Sequence, residues 1–231
     1  LRESKKNIER LGYFKQVQAI KERDTDDPSI LNYTFKVEEN RTGQLQAALG
    51  FQPGQSSSES NWFGQGRYSE ENQSGYGWKT GLQARWNGSK TYSFETNFTN
   101  PRVNDSFWLL GFTGFLQNDV RAITNDINVQ EKRVGGSITV GRRIIELVRA
   151  SITYRLQNIS QSSEVYLFDK FKEEGLASSL ILSLRRVDTN NFLDPSEGSE
   201  LQFRQEVTGG VLGGDRQFFR SSADATYFHP L

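Results

Sequence analysis

The chain has 231 residues but no cysteine, no methionine, one histidine and five prolines. Without cysteine there can be neither a disulfide framework nor a thiolate metal site. The single histidine, His229, can build neither a histidine metal cluster nor a Ser-His-Asp constellation. Basic and acidic side chains cancel at 28 each, which removes the electrostatic case for a nucleic-acid partner. Mean hydropathy is −0.66, and no apolar run approaches the about 18 residues that a transmembrane helix needs. A transmembrane barrel passes that test unseen, because half of each barrel strand faces a polar lumen.

What the sequence does contain is a period of two. It is clearest at Leu180–Val207, where Leu180, Leu182 and Leu184 alternate with Ile181, Ser183 and Arg185. A cluster of turn formers follows over Asp188–Gly198. The alternation then resumes with Leu201, Phe203 and Val207 against Gln202, Arg204 and Glu206. Successive strand side chains point to opposite faces, so this stretch predicts a hairpin with one apolar and one polar face. Pro195 has no N–H to give a ladder and belongs in the turn.

Residues 4–11 carry Ile8 and Leu11 three apart, with Gly12 as a helix stop, and two alternating strands follow at 13–20 and 31–37. This helix and strand pair is too short to bury a core of its own. From Thr42 onward the period of two persists to the end. Leu45, Ala47, Leu49 and Phe51 form the first apolar row. Residues 61–70 read as a poor strand, weakened by Gly64 and Gly66. Further rows follow at Trp78–Trp86, Tyr92–Phe98, Val134–Val140, Val148–Leu156 and Phe219–Tyr227. Phe107–Leu116 is apolar on both faces, so its register is not legible. About ten strands are predicted from Thr42, with no helix pattern between them. Connectors near 71–77, 100–105, 141–146 and 188–198 are short or turn-like. Those near 118–131 and 158–175 are longer and polar, and outer-membrane barrels show this asymmetry.

A soluble sandwich would alternate as well, with its apolar rows turned to a shared core. Aromatics at the ends of the rows favour a membrane: Trp78 and Trp86, Tyr92 and Phe98, Phe219 and Tyr227. Amphipathic rings belong at the headgroup level. Polar rows carry Arg149, Arg155, Arg204, Glu206, Arg220 and Asp224, which suit a hydrated lumen and a solvated sandwich surface equally.

No catalytic constellation is found, so an enzyme is not expected, and no cofactor is called for. Gly210–Asp215 is Gly-rich, but no helix pattern follows to cradle a phosphate, and it reads as a flexible hairpin loop. Glu173 with Glu174, and Asp188 with Asp194, are loop carboxylates with nothing to desolvate them. Val165–Phe171 is the one apolar stretch in a long loop, read as loop packing or a short cap over a barrel mouth. His229 is expected at a strand end near an interface.

The turn at Asp188, Thr189, Asn191, Pro195 and Gly198, followed by Leu201, resembles a turn of the outer-membrane barrel assembly-factor superfamily, the BamA-like proteins. Asn100–Asp105 is similar to that family's Thr-Glu/Asn-Pro turn. Ile8–Val17 and Phe35–Glu39 resemble the end of a POTRA domain, the periplasmic module before the barrel. The resemblance implies a mainly β chain. Residues 1–41 would be the C-terminal part of an α+β POTRA domain, and 42–231 about the first ten up-and-down strands of an antiparallel transmembrane β-barrel. Family barrels have sixteen strands, so the chain is expected not to close such a barrel alone.

The implied function is folding and insertion of β-barrel proteins into the bacterial outer membrane, with the N-terminal part in the periplasm. Unfolded outer-membrane proteins would be the clients, the lipid bilayer the medium, and accessory periplasmic lipoproteins the partners. The implied working element is the first barrel strand at a lateral seam: Gln44, Leu45, Gln46, Ala47, Ala48, Leu49, Gly50 and Phe51. A two-partner-secretion exporter and a passive porin remain as alternatives.

Overall fold

The computed structural model describes residues 4–5, 8, 13–23, 31–52, 61–88, 91–124, 127–145, 147–163, 174–189 and 196–229. Ser4, Lys5 and Ile8 are helical, in line with the expected N-terminal helix. Strands β1 (Phe14–Arg23) and β2 (Leu31–Glu39) form a two-stranded antiparallel sheet in which Val17 faces Val37. Ten further strands form the second sheet. They are β3 (Gly43–Gln52), β4 (Asn61–Gln73), β5 (Trp78–Asn87), β6 (Thr91–Asn100), β7 (Trp108–Thr124), β8 (Ile127–Ile145), β9 (Val148–Ser163), β10 (Gly175–Thr189), β11 (Gly198–Thr208) and β12 (Phe218–Phe228). Each pairs antiparallel with its neighbours in sequence, so the sheet is an up-and-down meander with β3 and β12 at its two edges.

The apolar rows lie on the outside. Ile152 is 52% exposed and Leu180 42%, whereas Ile181, between Leu180 and Leu182, is 3% exposed. Val134, Ile138 and Val140 of β8 and Leu201, Phe203 and Val207 of β11 belong to the same outward surface. A water-soluble sheet would hide this surface, because large contiguous apolar patches in water are rare. Lipid reverses the preference: the apolar row meets acyl chains, and the ladder pairs the backbone polar groups that hydrocarbon cannot solvate.

Aromatic rings mark both ends of this surface. At the end of the short turns Tyr76 stacks on Trp78 with centroids 4.9 Å apart, and Trp78 meets Phe98 edge-on at 5.6 Å. At the opposite end Phe51 packs on Trp62 at 5.3 Å, and Trp86 faces Tyr92 across β5 and β6. Trp78 and Trp86 lie eight positions apart on β5, roughly 27 Å along a strand at about 3.4 Å per residue. An outward apolar band of about 25 Å is the height such barrels present to lipid.

The strand that sequence could not phase is settled by its partners. Phe112 of β7 faces Phe98 and Ile138, and Leu110 faces Val140, so the even-numbered residues point outward. Gly111 and Thr113 point inward with Thr99 and Thr139.

Four expectations need correction. The polar stretch 118–131 is not a long loop: β7 and β8 run 17 and 19 residues, and Thr124 still pairs with Ile127. Polarity suggested a loop, but the ladder is built from backbone groups, so polar residues continue it past the lipid band. Residues 158–163 extend β9 for the same reason. Likewise 141–145 is strand, and β8 turns into β9 only between Ile145 and Val148. Residues 61–73 form a full strand despite Gly64 and Gly66. Val165–Phe171 and Glu173 lie outside the described residues, as do Asn191, Asp194 and Pro195.

The Gly-rich connector between β11 and β12 is stitched down. It leaves the ladder at Gly209, makes a 3-10 turn over Gly210–Leu212 and returns to bridge Ala177 from Gly214. The Asp215 N–H donates to the Leu176 carbonyl at 2.7 Å, and the Leu176 N–H donates to the Asp215 carboxylate at 2.7 Å.

The inner face is polar and cross-linked. Thr139 and Thr153 hydroxyls lie 2.8 Å apart, and those of Ser179 and Thr208 2.6 Å apart. Arg155 of β9 reaches over β10 to the carboxylate of Glu206, whose side chain is 3% exposed.

Two stability predictions follow from these faces. Arg at Ile152 or Leu182, on the outer face, should cost about 2–4 kcal/mol near the bilayer midplane, and Arg at Ser151 or Ser183 far less. Membrane-folding titrations in urea check this, and equal costs would contradict the face assignment. Glu206→Ala strips the partner from a largely buried arginine and should cost about 3–5 kcal/mol. Glu200→Ala, which breaks the more exposed pair with Arg185 at 3.2 Å, should cost at most about 1 kcal/mol.

Candidate functional site

The predicted seam strand Gln44–Phe51 lies within β3, which pairs only with β4 among the described residues. No described strand pairs with its other side. Leu45 and Leu49 are 80% and 75% exposed, the most of any large apolar residues in the first four strands of this sheet. Gln44, Gln46, Ala48 and Gly50 alternate on the inner face. Gln44 and Gln46 join Arg67, Lys79, Gln83 and Glu95 around an open polar hollow of about 370 Å³.

One hydrogen bond fixes where the backbone of β3 points. The Trp62 carbonyl accepts the Gly88 N–H at 3.0 Å, so Trp62 turns its polar groups toward β5. In an antiparallel ladder these groups alternate residue by residue between the two sides. Phe51 lies directly opposite Trp62, and the register is unbroken from Gly43 to Gln52. Phe51 therefore turns its N–H and C=O away from β4, as do Leu49, Ala47 and Leu45. Four outward-facing residues thus present their backbone groups on the side away from β4. Gln44, Gln46, Ala48 and Gly50 bond to β4.

The outward pairs between β3 and β4 are lean. Ala47 faces Gly66 and Leu49 faces Gly64, so two of the four pairs from Leu45 to Phe51 have glycine on one side. A cross-strand pair contributes only about 0.2–1 kcal/mol, and glycine brings no side chain to it. The gaps are partly covered. The Trp86 indole lies over Gly64, where a Cβ would come within 2.0 Å of the ring, and the Phe63 ring covers Gly50 on the inner face. Sequence showed the glycines as weakness, and the rings that cover them sit on neighbouring strands that only the register brings alongside. At the start of β3 the Thr42 hydroxyl donates to the Glu70 carboxylate.

The turn motif is described in part. Asp188 and Thr189 end β10, opposite Ser199 and Gly198. Gly198 has φ +114°, and a Cβ there would fall 1.9 Å from the Asp188 carbonyl oxygen, so only glycine fits this corner. His229 follows β12 with its ring 6.4 Å from that of Tyr227. Among the described residues no group of three or more His, Asp or Glu is gathered to hold a metal.

Comparison with known proteins bears on the same architecture. Residues 61–231 match the Omp85 superfamily domain. The chain is 26% identical over 238 aligned positions to the outer membrane protein assembly factor BamA of Nitratidesulfovibrio vulgaris (strain Hildenborough), covering 100% of this chain and 28% of that protein. The crystal structure of BamA from Haemophilus ducreyi lacking POTRA domains 1–3 matches with a TM-score of 0.69 at 16% identity, over 96% of this chain and 44% of that one. The chain thus spans less than half the length of these relatives. The Omp85 match begins at the first residue of β4, and β3 is covered by the alignment with the N. vulgaris protein, which takes in the whole chain. With an apolar outer face, a polar inner face and this domain match over most of its length, the chain belongs to the Omp85 superfamily, and its ten-stranded sheet is outer-membrane barrel wall.

Proposed function

We propose that the protein folds and inserts other β-barrel proteins into the outer membrane, with β3 as the strand on which a client pairs. The observation that carries this is the direction of β3, where Leu45, Ala47, Leu49 and Phe51 turn their side chains to lipid and their backbone groups away from β4, toward a side that no described strand pairs. No bond is made or broken in such a reaction. An incoming strand must pair its N–H and C=O groups before hydrocarbon can accept it, and an open edge supplies those partners. This is β-augmentation, in which main-chain hydrogen bonds give the affinity and side chains on the client are free to vary. The lean pairs opposite Gly64 and Gly66 suit a strand that must exchange partners.

The naming of the N. vulgaris relative as an assembly factor supports this reading over a passive pore. In the same reading residues 1–41 are the end of a periplasmic POTRA domain. The Tyr13 ring lies against Gly77 in the turn between β4 and β5, which puts the small sheet at the short-turn end of the barrel wall. That end is then the periplasmic one. Unfolded outer-membrane proteins are the clients, and accessory periplasmic lipoproteins are partners at the same end.

Depletion of the protein should leave other outer-membrane barrels unassembled, seen as loss of their heat-modifiable mobility. Normal assembly of those barrels would exclude the role. Proline deletes one ladder donor, so a scan separates the two sides of β3. Proline at Ala47 or Leu49 should lower client assembly while the variant itself still inserts. Proline at Gln46 or Ala48 should impair the variant's own folding, because those N–H groups pair with β4. Unchanged client assembly in the first class would remove β3 from the mechanism.

A further inference from the structure

At the short-turn end the inner face gathers cations that the folding of the sheet does not neutralise. Arg143 of β8 stands directly opposite Arg149 of β9, and Arg149 directly opposite Arg185 of β10. Each lies three positions from an outward residue of its own strand: Val140, Ile152 and Leu182. An odd separation puts a strand side chain on the opposite face. The three guanidinium groups therefore share one inner row, beside the turn from β8 into β9. Arg142, next in sequence, belongs to the outer face with Trp108. Like charges directly across a ladder are destabilising. Arg185 is relieved by Glu200 at 3.2 Å. Arg143 and Arg149 have no acidic partner among the described residues. The adjoining inner row, Gly141, Ser151 and Ser183, offers no carboxylate.

The surplus extends along this side of the lumen. Inner-facing positions of β8–β12 carry seven arginines and four carboxylates, a net charge of +3. A cleft walled by one sign of charge focuses its field on an oppositely charged ligand. Arg143 is held over the Phe107 ring at 4.9 Å. A stacked guanidinium keeps its edge N–H groups available, and that planar fork matches a carboxylate. The apolar rows that would take an acyl chain lie on the other face of the wall, so a lipid does not fit here. The row is also too long for one small anion. Neighbouring strands lie about 4.8 Å apart, so Arg143 to Arg185 spans roughly 10 Å. An extended polypeptide repeats its side chains on one face every roughly 6.8 Å. Carboxylates at alternate residues would thus reach more than one of these guanidinium groups at once.

We propose that this inner row binds an acidic stretch of polypeptide, in extended form, at the short-turn mouth of the barrel. Arg143 and Arg149 take its carboxylates, and Arg185, shared with Glu200, adds to the field. The proposal needs the sheet to be barrel wall around a lumen, and it does not depend on the assembly reading.

The test uses the intact protein in detergent micelles, which leave both mouths of the barrel open to solution. The probe is a short fluorescein-labelled peptide of alternating aspartate and serine, with asparagine replacing aspartate in the control peptide. Binding is read by fluorescence anisotropy. At low salt the aspartate peptide should bind about tenfold more tightly than the control, and added salt should remove the difference. Combining Arg143→Gln with Arg149→Gln should abolish the preference, while lysine at the same two positions should keep most of it. Arg142→Gln, on the outer face, should leave it unchanged. Heat-modifiable mobility shows that each variant is folded, and the lysine variant separates loss of charge from loss of fold. Equal binding of the two peptides, a preference that survives the glutamine changes, loss of it in the folded lysine variant, or an equal loss from Arg142→Gln would each overturn the proposal. So would displacement of the peptide by inorganic phosphate at the same concentration, which would mark a site for a small anion.

Discussion

The constraint on which the rest depends is that hydrocarbon cannot solvate a backbone N–H or C=O. Every strand that lies in it must be paired on both sides, or the unpaired side must be dealt with. The ten-stranded meander meets this demand at every internal strand, each bonded to its two sequence neighbours. Among the described residues the demand is left open at the two edge strands, β3 and β12. In the proposed function, what would be a liability in a soluble sheet becomes at β3 a place for another strand, provided that the edge residues are apolar enough to lie in lipid. Leu45, Leu49 and Phe51 meet that condition.

The same constraint inverts the packing. The outer face needs no burial by protein, so its Val, Ile and Leu rows stay exposed, and the few buried side chains are mostly small or polar ones on the inner face. Cohesion there comes from hydroxyl pairs and from the Arg155–Glu206 bridge over β10. At the short-turn end the inner row becomes Arg143, Arg149 and Arg185, and charge accumulates where the wall leaves the apolar band. Interior, band and boundary thus differ in kind along a single strand such as β9, from Arg149 through Ile152 to Gln161.

Much of this was legible in the sequence. Alternation placed the apolar rows of β5, β6, β8, β9, β10, β11 and β12, since a period of two maps directly onto two faces. It failed where side chains do not decide the structure. Residues 118–131 look like loop by polarity, yet the backbone ladder carries β7 and β8 through them. Phe107–Leu116 is apolar on both faces, so only its partners Phe98 and Ile138 could phase it. Gly210–Asp215 looked slack, and Asp215 pins it to Leu176 through contacts 39 residues apart. For the candidate site, the strand itself was visible in sequence. The direction of its backbone groups was not, because that depends on the bond between Trp62 and Gly88 two strands away.

The absence of cysteine from the chain allows a direct test of the β3 edge. Single cysteines at Ala47 and at Gly136, an outward position in the internal strand β8, would be combined with a scan of cysteines along the terminal strand of a client arrested during assembly. Disulfide formation would be scored in intact membranes. The account predicts client crosslinks at Ala47 with one preferred register and none at Gly136. Crosslinks at both positions alike, or at neither while the client still assembles, would contradict it.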